Sequence, residues 1–232
     1  MRHTVRIVAH DQAGEHPKPE PPEAEWDARY LEGGQAMWSG RPNGRLVAEV
    51  AELTPGRALD VGCGEGADAI WLAKRGWTVT AIDVSAVAIS RAQEAARTAG
   101  AAVEWMTADV LTITLPAIPF DLVSMQYPAL PKIGRQAVRA LVNLVRPGGV
   151  LLAVYHDLDD EHREHMKSRG VDPADYIDAD DLADLLGDDF LVEQHSVQQR
   201  IDSPPGTPHI ADVVLRARRR RPREAGGVAR TD

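Results

Sequence analysis

From residue 57 onward, short apolar strand-like runs alternate with longer segments of helical spacing. The predicted strands cover residues 58–61, 77–82, 103–107, 120–125 and 150–155. Helices are predicted between them, among them residues 67–75, residues 134–145 and an Ala-rich helix that Ser85 caps and that runs to Gly100. Strands that alternate with helices form βαβ units, so the pattern predicts a parallel sheet with both faces covered.

The last third of the chain departs from this alternation. Residues 178–186 are predicted to be helical, and strand-like runs follow at 190–201 and 210–217. The Pro- and Gly-containing segment 202–208 between these runs is typical of a loop. Two consecutive strands without an intervening helix predict an antiparallel hairpin. The sum is an α/β fold with a seven-stranded, mostly parallel sheet.

Charge and composition divide the chain into three parts. Residues 1–25 are predicted to be an N-terminal extension or linker, residues 26–217 the folded domain, and residues 218–232 a disordered Arg-rich tail. The net charge is −9, yet residues 216–232 hold seven arginines and two acids, which leaves −14 on the rest. A body this acidic disfavours a nucleic-acid partner.

The remaining composition restricts location and assembly. The lone cysteine, Cys63, excludes a disulfide framework and suits a reducing compartment. No apolar run reaches the length of a membrane-spanning helix. We therefore expect a cytoplasmic protein without a membrane partner, as a monomer or homodimer.

A glycine-rich loop, residues 62–67, joins the first predicted strand to its helix, and Asp83 ends the next strand 21 residues after Gly62. This spacing also fits a dinucleotide fingerprint, so an NAD-dependent oxidoreductase is an alternative. Three carboxylates, on Asp60, Glu65 and Asp68, surround the loop without a nearby Lys or Arg in sequence. They would repel a pyrophosphate and suit the positively charged S-adenosylmethionine. Asp83 is expected to accept from the ribose hydroxyls, and Asp109 from the adenine amine or to cap a turn.

Five motifs in register resemble those of class I S-adenosylmethionine-dependent methyltransferases. They are Leu59-Asp60-Val61-Gly62-Cys63-Gly64-Glu65-Gly66, Ala81-Ile82-Asp83, Ala108-Asp109-Val110, Phe120-Asp121-Leu122-Val123 and Arg146-Pro147-Gly148-Gly149. The resemblance implies a Rossmann-like sheet in the order 3-2-1-4-5-7-6. The segment around Trp38 and the terminal hairpin are similar to the small-molecule branch of tellurite-resistance and thiopurine-type enzymes. The expected cofactor-binding residues are Trp38, Arg41, Asp60, Gly62, Cys63, Gly64, Asp83, Val84, Asp109, Val110 and Gln126.

Residues 38–43 are expected to close over the cofactor. The alternative is that Trp26, Tyr30 and Trp38 simply dock the N-terminal segment on the sheet. In the first interpretation, Arg41 pairs with the methionine carboxylate and Trp38 lies beside the sulfonium. Cys63 occupies the variable position of the glycine loop, where a packing role is expected rather than a nucleophile.

Acceptors should approach over the carboxyl ends of the strands. Tyr127 and His156 are the candidate catalytic residues there, with His156 able to deprotonate a hydroxyl or thiol. Met125-Gln126-Tyr127-Pro128 departs from the Asn/Asp-Pro-Pro-Tyr of amino-methylating enzymes, which disfavours base methylation and leaves a non-catalytic cofactor-binding protein as an alternative. His162 and His165 lack a third ligand, so no metal site is predicted. The function predicted is methyl transfer to an O, S or N nucleophile of a small molecule.

Overall fold

The computed structural model describes residues 4–6, 22–116, 118–201 and 210–222. Its strands are β1 (Thr4–Arg6), β2 (Arg57–Val61), β3 (Thr78–Asp83), β4 (Val103–Thr107), β5 (Thr114–Pro116), β6 (Phe120–Gln126), β7 (Val145–His156), β8 (Phe190–Gln199) and β9 (Ala211–Arg219). Its helices are α1 (Pro22–Glu32), α2 (Gly44–Val50), α3 (Ala67–Lys74), α4 (Ala86–Ala99), α5 (Arg135–Val142), α6 (Asp160–Ser168) and α7 (Ala179–Asp184).

Seven strands form the main sheet in the order β4-β3-β2-β6-β7-β9-β8. The first five of these strands are parallel, and β9 runs antiparallel to both β7 and β8. Counted along the chain, this order is 3-2-1-4-5-7-6, so the predicted fold class is confirmed. The sequence did not reveal the small antiparallel pair of β1 and β5, because each strand has only three residues.

Two apolar cores lie on opposite faces of the sheet. Alternate residues of β2 and β6 belong to different cores, with Leu59 and Val123 in one and Ala58 and Leu122 in the other. Helices α5 and α7 supply the first core, and α2 and α3 supply the second. The predicted coverage of both faces is therefore confirmed.

Side-chain hydrogen bonds cap the N-termini of α4 and α2, two helices near the candidate site. The Ser85 hydroxyl accepts from the Ala88 amide at 3.1 Å, which is the cap predicted from sequence. Asn43 Oδ1 accepts from the Arg45 amide at 2.8 Å and starts α2, a helix that the sequence analysis did not place. Gly100 ends α4 in the left-handed conformation at φ 65°.

Two predicted boundaries are wrong at their inner ends. Residues 22–25 belong to α1 rather than to a linker, with Glu23 and Glu25 in its first turn, where acids favour a helix start. At the other end, Arg218 and Arg219 lie in β9 rather than in a tail. Arg219 Nη1 donates to the carbonyl oxygens of Asn143 and Val145 at 2.9 and 2.8 Å, so its charge is accommodated inside the fold.

The predicted loop 202–208 lies outside the described residues. The same holds for the other parts of the predicted linker and tail, apart from β1 and residues 220–222. Within the described part of the chain, no helix combines the length and apolar character needed to cross a membrane.

Candidate active site

The glycine loop forms the floor of the site at the carboxyl end of β2. Gly62, Gly64 and Gly66 adopt positive φ angles of 71°, 53° and 81°, which side chains other than glycine rarely adopt. A Cβ atom on Gly62 would meet no heavy atom within 4 Å, so this glycine faces open space. A Cβ on Gly64 would lie 2.9 Å from the Tyr30 hydroxyl, so the N-terminal segment covers this end of the loop.

Asp83 connects the glycine loop to the start of the next helix. Its carboxylate accepts from the backbone amide of Gly64 at 2.8 Å and from that of Ser85 at 2.9 Å. The side chain is buried, and burial raises its pKa, although the two amide hydrogen bonds oppose the rise. The structure thus places Asp83 beside the loop, as predicted, and shows a second role in holding that loop.

Two further acids lie beside the loop, the buried Asp60 and the half-buried Asp68. Asp60 is 2% exposed, and no described residue hydrogen-bonds its Oδ2 atom. Burial raises the pKa of Asp60, and the neighbouring charges of Asp68 and Asp83 raise it further. Burial also raises the pKa of Asp68 to about 6, although its carboxylate accepts from the Asn43 amide at 2.6 Å. A bound cation would relieve this crowding of acids, so the donor set fits the sulfonium and ammonium groups of S-adenosylmethionine.

Glu65, the third carboxylate expected near the ligand, has a different role. Its oxygens accept from the backbone amides of Met37 and Trp38, and Arg91 Nη1 pairs with it at 2.8 Å. Burial raises the pKa of Glu65, but the hydrogen bonds from Met37, Arg91 and Trp38 outweigh this and hold it below its ordinary value. Glu65 therefore anchors the N-terminal segment. Arg91 comes from α4, distant in sequence from the loop that it reaches.

The N-terminal segment reaches the loop through its aromatic residues. Trp38 Nε1 donates to the Tyr30 hydroxyl at 3.3 Å, while 55% of Trp38 stays exposed. Arg41 is exposed, and no described carboxylate forms an ion pair with it. Cys63 packs against the second core, and burial raises the pKa of its thiol, in line with a packing role. The N-terminal segment is thus docked against the glycine loop. The Arg41 side chain forms no ion pair with a described residue.

The remaining predicted cofactor residues follow β3, β4 and β6. Val84 is half-buried and Val110 is buried in the first core. Asp109 Oδ1 accepts from the Leu111 amide at 2.8 Å, so this residue caps a turn, which was the alternative interpretation. Gln126 Nε2 donates to the Ser124 hydroxyl at 3.0 Å, and its Oε1 is buried with no partner among the described residues.

Tyr127 and His156 meet where β6 and β7 end. Their rings stack with centroids 4.1 Å apart and an angle of 17° between the planes. Tyr127 has φ 51°, the only positive φ of a non-glycine residue in the described ranges. Its hydroxyl donates to Asp212 Oδ1 at 3.0 Å, and the nearby Asn43 side chain acts to lower the pKa of this phenol. Burial and the neighbouring Asp212 charge together raise the pKa of Tyr127 to about 12, so the phenol stays protonated at neutral pH.

Sequence reasoning missed the two hairpin residues at this end of the sheet. Asp212 is 0% exposed and pairs with His156 in the β7–β9 register. The Arg200 guanidinium carbon lies 5.2 Å from the Tyr127 ring centroid. An aspartate directly before the apolar residues 213–215 was the one signal for Asp212, whereas nothing marked Arg200.

The histidines at 162 and 165 lie on α6, as the spacing predicted. His162 Nδ1 lies 2.6 Å from Asp159 Oδ1, the residue that precedes the helix. Among the residues that the structure describes, no group of three His, Cys, Asp or Glu side chains could hold a metal ion.

The sheet order, the glycine loop and the acid at the end of β3 define the class I methyltransferase fold. Comparison with known proteins agrees, since residues 58–149 match the family model described as a methyltransferase domain. Residues 58–149 are therefore similar to a methyltransferase domain, and the sheet around them has the strand order of that fold. S-adenosylmethionine, the cofactor predicted from the sequence, agrees with this similarity.

Three similar proteins illustrate the range of relatives. An uncharacterized methyltransferase of Mycobacterium tuberculosis is 45% identical over 98 residues, 41% of this chain and 48% of that protein. The tRNA 5-carboxymethoxyuridine methyltransferase of Escherichia coli is 33% identical over 140 residues, 56% of this chain and 51% of that protein. A solved structure concerning the conversion of a disulfide bond into a thioacetal group during echinomycin biosynthesis has a TM-score of 0.66 and 26% identity, covering 85% of this chain and 91% of that one. The chain thus spans about half the length of these two curated relatives.

Proposed function

We propose that this protein transfers a methyl group from S-adenosylmethionine to a small-molecule acceptor bound beside Tyr127 and His156. The cluster of acids at the glycine loop, Asp60, Asp68 and Asp83, carries the proposal. Asp68 and Asp83 lie close enough to Asp60 for their charges to raise its pKa, and burial raises the pKa of all three. A cationic ligand is favoured in such a field, and a ligand with two phosphates is disfavoured.

The chain's own residues supply binding and orientation. Gly62 leaves room for the ligand to approach the backbone, and Asp83 would accept from the ribose hydroxyls with the lone pairs that the two amides leave free. Asp60 and Asp68 would face the cationic end, and Arg41 stays the candidate for the methionine carboxylate. When bound, the cofactor supplies a methyl group already activated by the sulfonium, so positioning is the main requirement on the protein.

The cofactor and acceptor ends are connected by one residue. The Asn43 backbone amide donates to the Asp68 carboxylate at 2.6 Å, and the Asn43 side chain lies near enough to the Tyr127 hydroxyl to act on its pKa. An acceptor that lies against Tyr127 is thus close to the acid cluster. His156 is the candidate base for a hydroxyl or thiol acceptor, since the protonated Tyr127 hydroxyl already donates a hydrogen bond to Asp212.

Negative charge around the end of the sheet where Tyr127 and His156 lie favours a small-molecule acceptor over RNA. Exposed acids follow β7 directly, at Asp157, Asp159, Asp160 and Glu161. This rim would repel a phosphate backbone. The relative that acts on tRNA keeps RNA as the second candidate acceptor, and the tellurite-resistance and thiopurine-type branch remains part of our proposal.

Titration calorimetry with S-adenosylmethionine, S-adenosylhomocysteine and NAD tests the cofactor. We expect both adenosyl ligands to bind and NAD not to bind, and NAD binding with neither adenosyl ligand would overturn the proposal. Transfer of a labelled methyl group to small thiols, hydroxyls, amines and bulk tRNA then tests the activity. Binding without transfer to any acceptor would favour the non-catalytic alternative, and transfer to tRNA alone would favour RNA.

A further inference from the structure

Arg200 lies at the acceptor end of the sheet, directly after β8. Its backbone amide donates to the Ile210 carbonyl at 2.9 Å, which closes this end of the hairpin. Its guanidinium lies over the Tyr127 ring, 5.2 Å from the centroid, while the His156 ring stacks on Tyr127 at 4.1 Å. Because the near-parallel His156 ring at 4.1 Å covers one face of the Tyr127 ring, we infer that the Arg200 guanidinium lies on the opposite face. Tyr127 is thus held between an imidazole and a cation.

This arginine differs from its neighbours in the same hairpin. Arg216 and Arg218 both pair with Glu193, and Arg219 lies 3.7 Å from an Asp189 oxygen. Within the described ranges, no carboxylate forms an ion pair with Arg200, although the side chain is half-buried. A guanidinium offers five N–H donors in a planar fork that matches a carboxylate. A half-buried fork that forms no ion pair with a described carboxylate, next to the proposed methyl acceptor, is consistent with an acceptor that brings the acid.

We propose that the acceptor is a small carboxylic acid and that Arg200 is the residue that selects it. This inference rests on the proposed function and narrows its substrate class. A carboxylate is favoured over a phosphate because Arg200 lies in an acidic surrounding that includes the buried Asp212 and the exposed Asp157. A group with one negative charge suits that balance better than one with two. The aromatic pair of Tyr127 and His156 beside Arg200 makes aromatic acids the first class of acceptor to test.

Matched acceptor pairs test the proposal whichever atom accepts the methyl group. The pairs are 4-hydroxybenzoate, 4-mercaptobenzoate and 4-aminobenzoate, each with its carboxamide. We expect kcat/KM for the acid to exceed that for the amide, with a loss of about 10- to 150-fold for the acid in Arg200→Gln. Arg200→Lys should recover part of this loss. Arg139→Gln, which removes an exposed arginine of α5, is the control and should keep the preference.

Ligand-observed NMR on the protein loaded with S-adenosylhomocysteine provides a readout that does not need turnover. We expect 4-hydroxybenzoate to bind more tightly than 4-hydroxybenzamide, and Arg200→Gln to remove the difference. Equal binding of acid and amide, or a preference that survives Arg200→Gln, would overturn the role of Arg200. Tighter binding of 4-hydroxyphenyl phosphate would replace the carboxylate by a phosphate.

The same measurements separate this inference from the proposed function. Acid-selective binding without methyl transfer to any acceptor would contradict the enzyme but support the role of Arg200. Methyl transfer to amides and acids alike would support the enzyme and contradict the selection. A fall in thermal midpoint of Arg200→Gln with equal losses for acids and amides would show that Arg200 only compensates the charge of Asp212.

Discussion

Replacing Asp83 by Ala tests a side chain that has two roles in the structure. The carboxylate holds the amides of Gly64 and Ser85, and it is the proposed acceptor for the ribose hydroxyls. Removing it leaves two buried N–H groups without a partner, at about 1–3 kcal/mol each. We therefore expect a loss of at least about 2 kcal/mol in the free energy of unfolding. For a chain of this size, that lowers the thermal midpoint by at least about 4 °C.

The cofactor affinity should fall by more than stability alone requires. A hydrogen bond to a charged group contributes about 1.5–3 kcal/mol, so loss of the ribose acceptor should weaken S-adenosylmethionine binding about 10- to 150-fold. Asp83→Asn is also a severe change, although it keeps the size of the side chain. Its amide oxygen can accept from only one of the two backbone amides, and its NH₂ group then faces the other donor. We expect this variant to lose nearly as much affinity as Asp83→Ala.

Calorimetric titration and thermal unfolding on both variants separate the two roles. Asp157→Ala removes an exposed carboxylate at the same end of the sheet and controls for net charge. Unchanged affinity in a folded Asp83→Ala protein would refute the ribose role. An unchanged thermal midpoint would refute the support of the glycine loop.

Two further predictions concern pH and the Arg-rich end. The folded-state pKa of Asp68 is about 6, above its ordinary value of 3.8, so its contribution to stability is complete below about pH 4 and is lost as the pH rises through 6. Unfolding of the cofactor-free protein should show this fall in stability between pH 4 and 7 and a smaller one in Asp68→Asn, whereas equal slopes would contradict the assignment. A cation that binds here favours the ionised acids, so S-adenosylmethionine affinity should rise over the same range, with proton release measured by calorimetry in two buffers. Deleting residues 218–232 should lower the thermal midpoint by more than about 5 °C, because Arg218 and Arg219 belong to β9, and deleting residues 223–232 is the control.

The fold and the cofactor end could be predicted because their signals are local in sequence. The glycine loop, Asp60 and Asp83 each lie at the end of a strand whose apolar pattern is clear, and parallel strands bring their carboxyl ends to one edge. The partners and the ionisation of the acids around the loop could not be predicted in the same way. Whether Glu65 faces a ligand depends on Arg91, which is 26 residues away and reaches the loop only through the packing of α4.

The acceptor end could be predicted only in part, because its contacts join distant segments. Tyr127 and His156 were found from their positions after strands, but their stacking depends on the backbone turn at Tyr127 with φ 51°. Asp212 reaches Tyr127 across 85 residues of sequence, and only the register of β9 against β7 brings them together. No spacing rule relates these residues, so three-dimensional pairing had to be known first.

Strand β9 links this acceptor end to the arginines that the sequence assigned to a tail. Its register pairs Asp212 with His156 at one end and Arg218 with Val150 near the other. Arg218 Nη1 donates to the Gly148 carbonyl at 3.1 Å, which holds the second end in place. A slip of one residue would turn Asp212 to the opposite face of the sheet and remove it from Tyr127. The arginines therefore help to position the acceptor site from roughly 20 Å away along the strand, and their loss should impair acceptor use before it impairs cofactor binding.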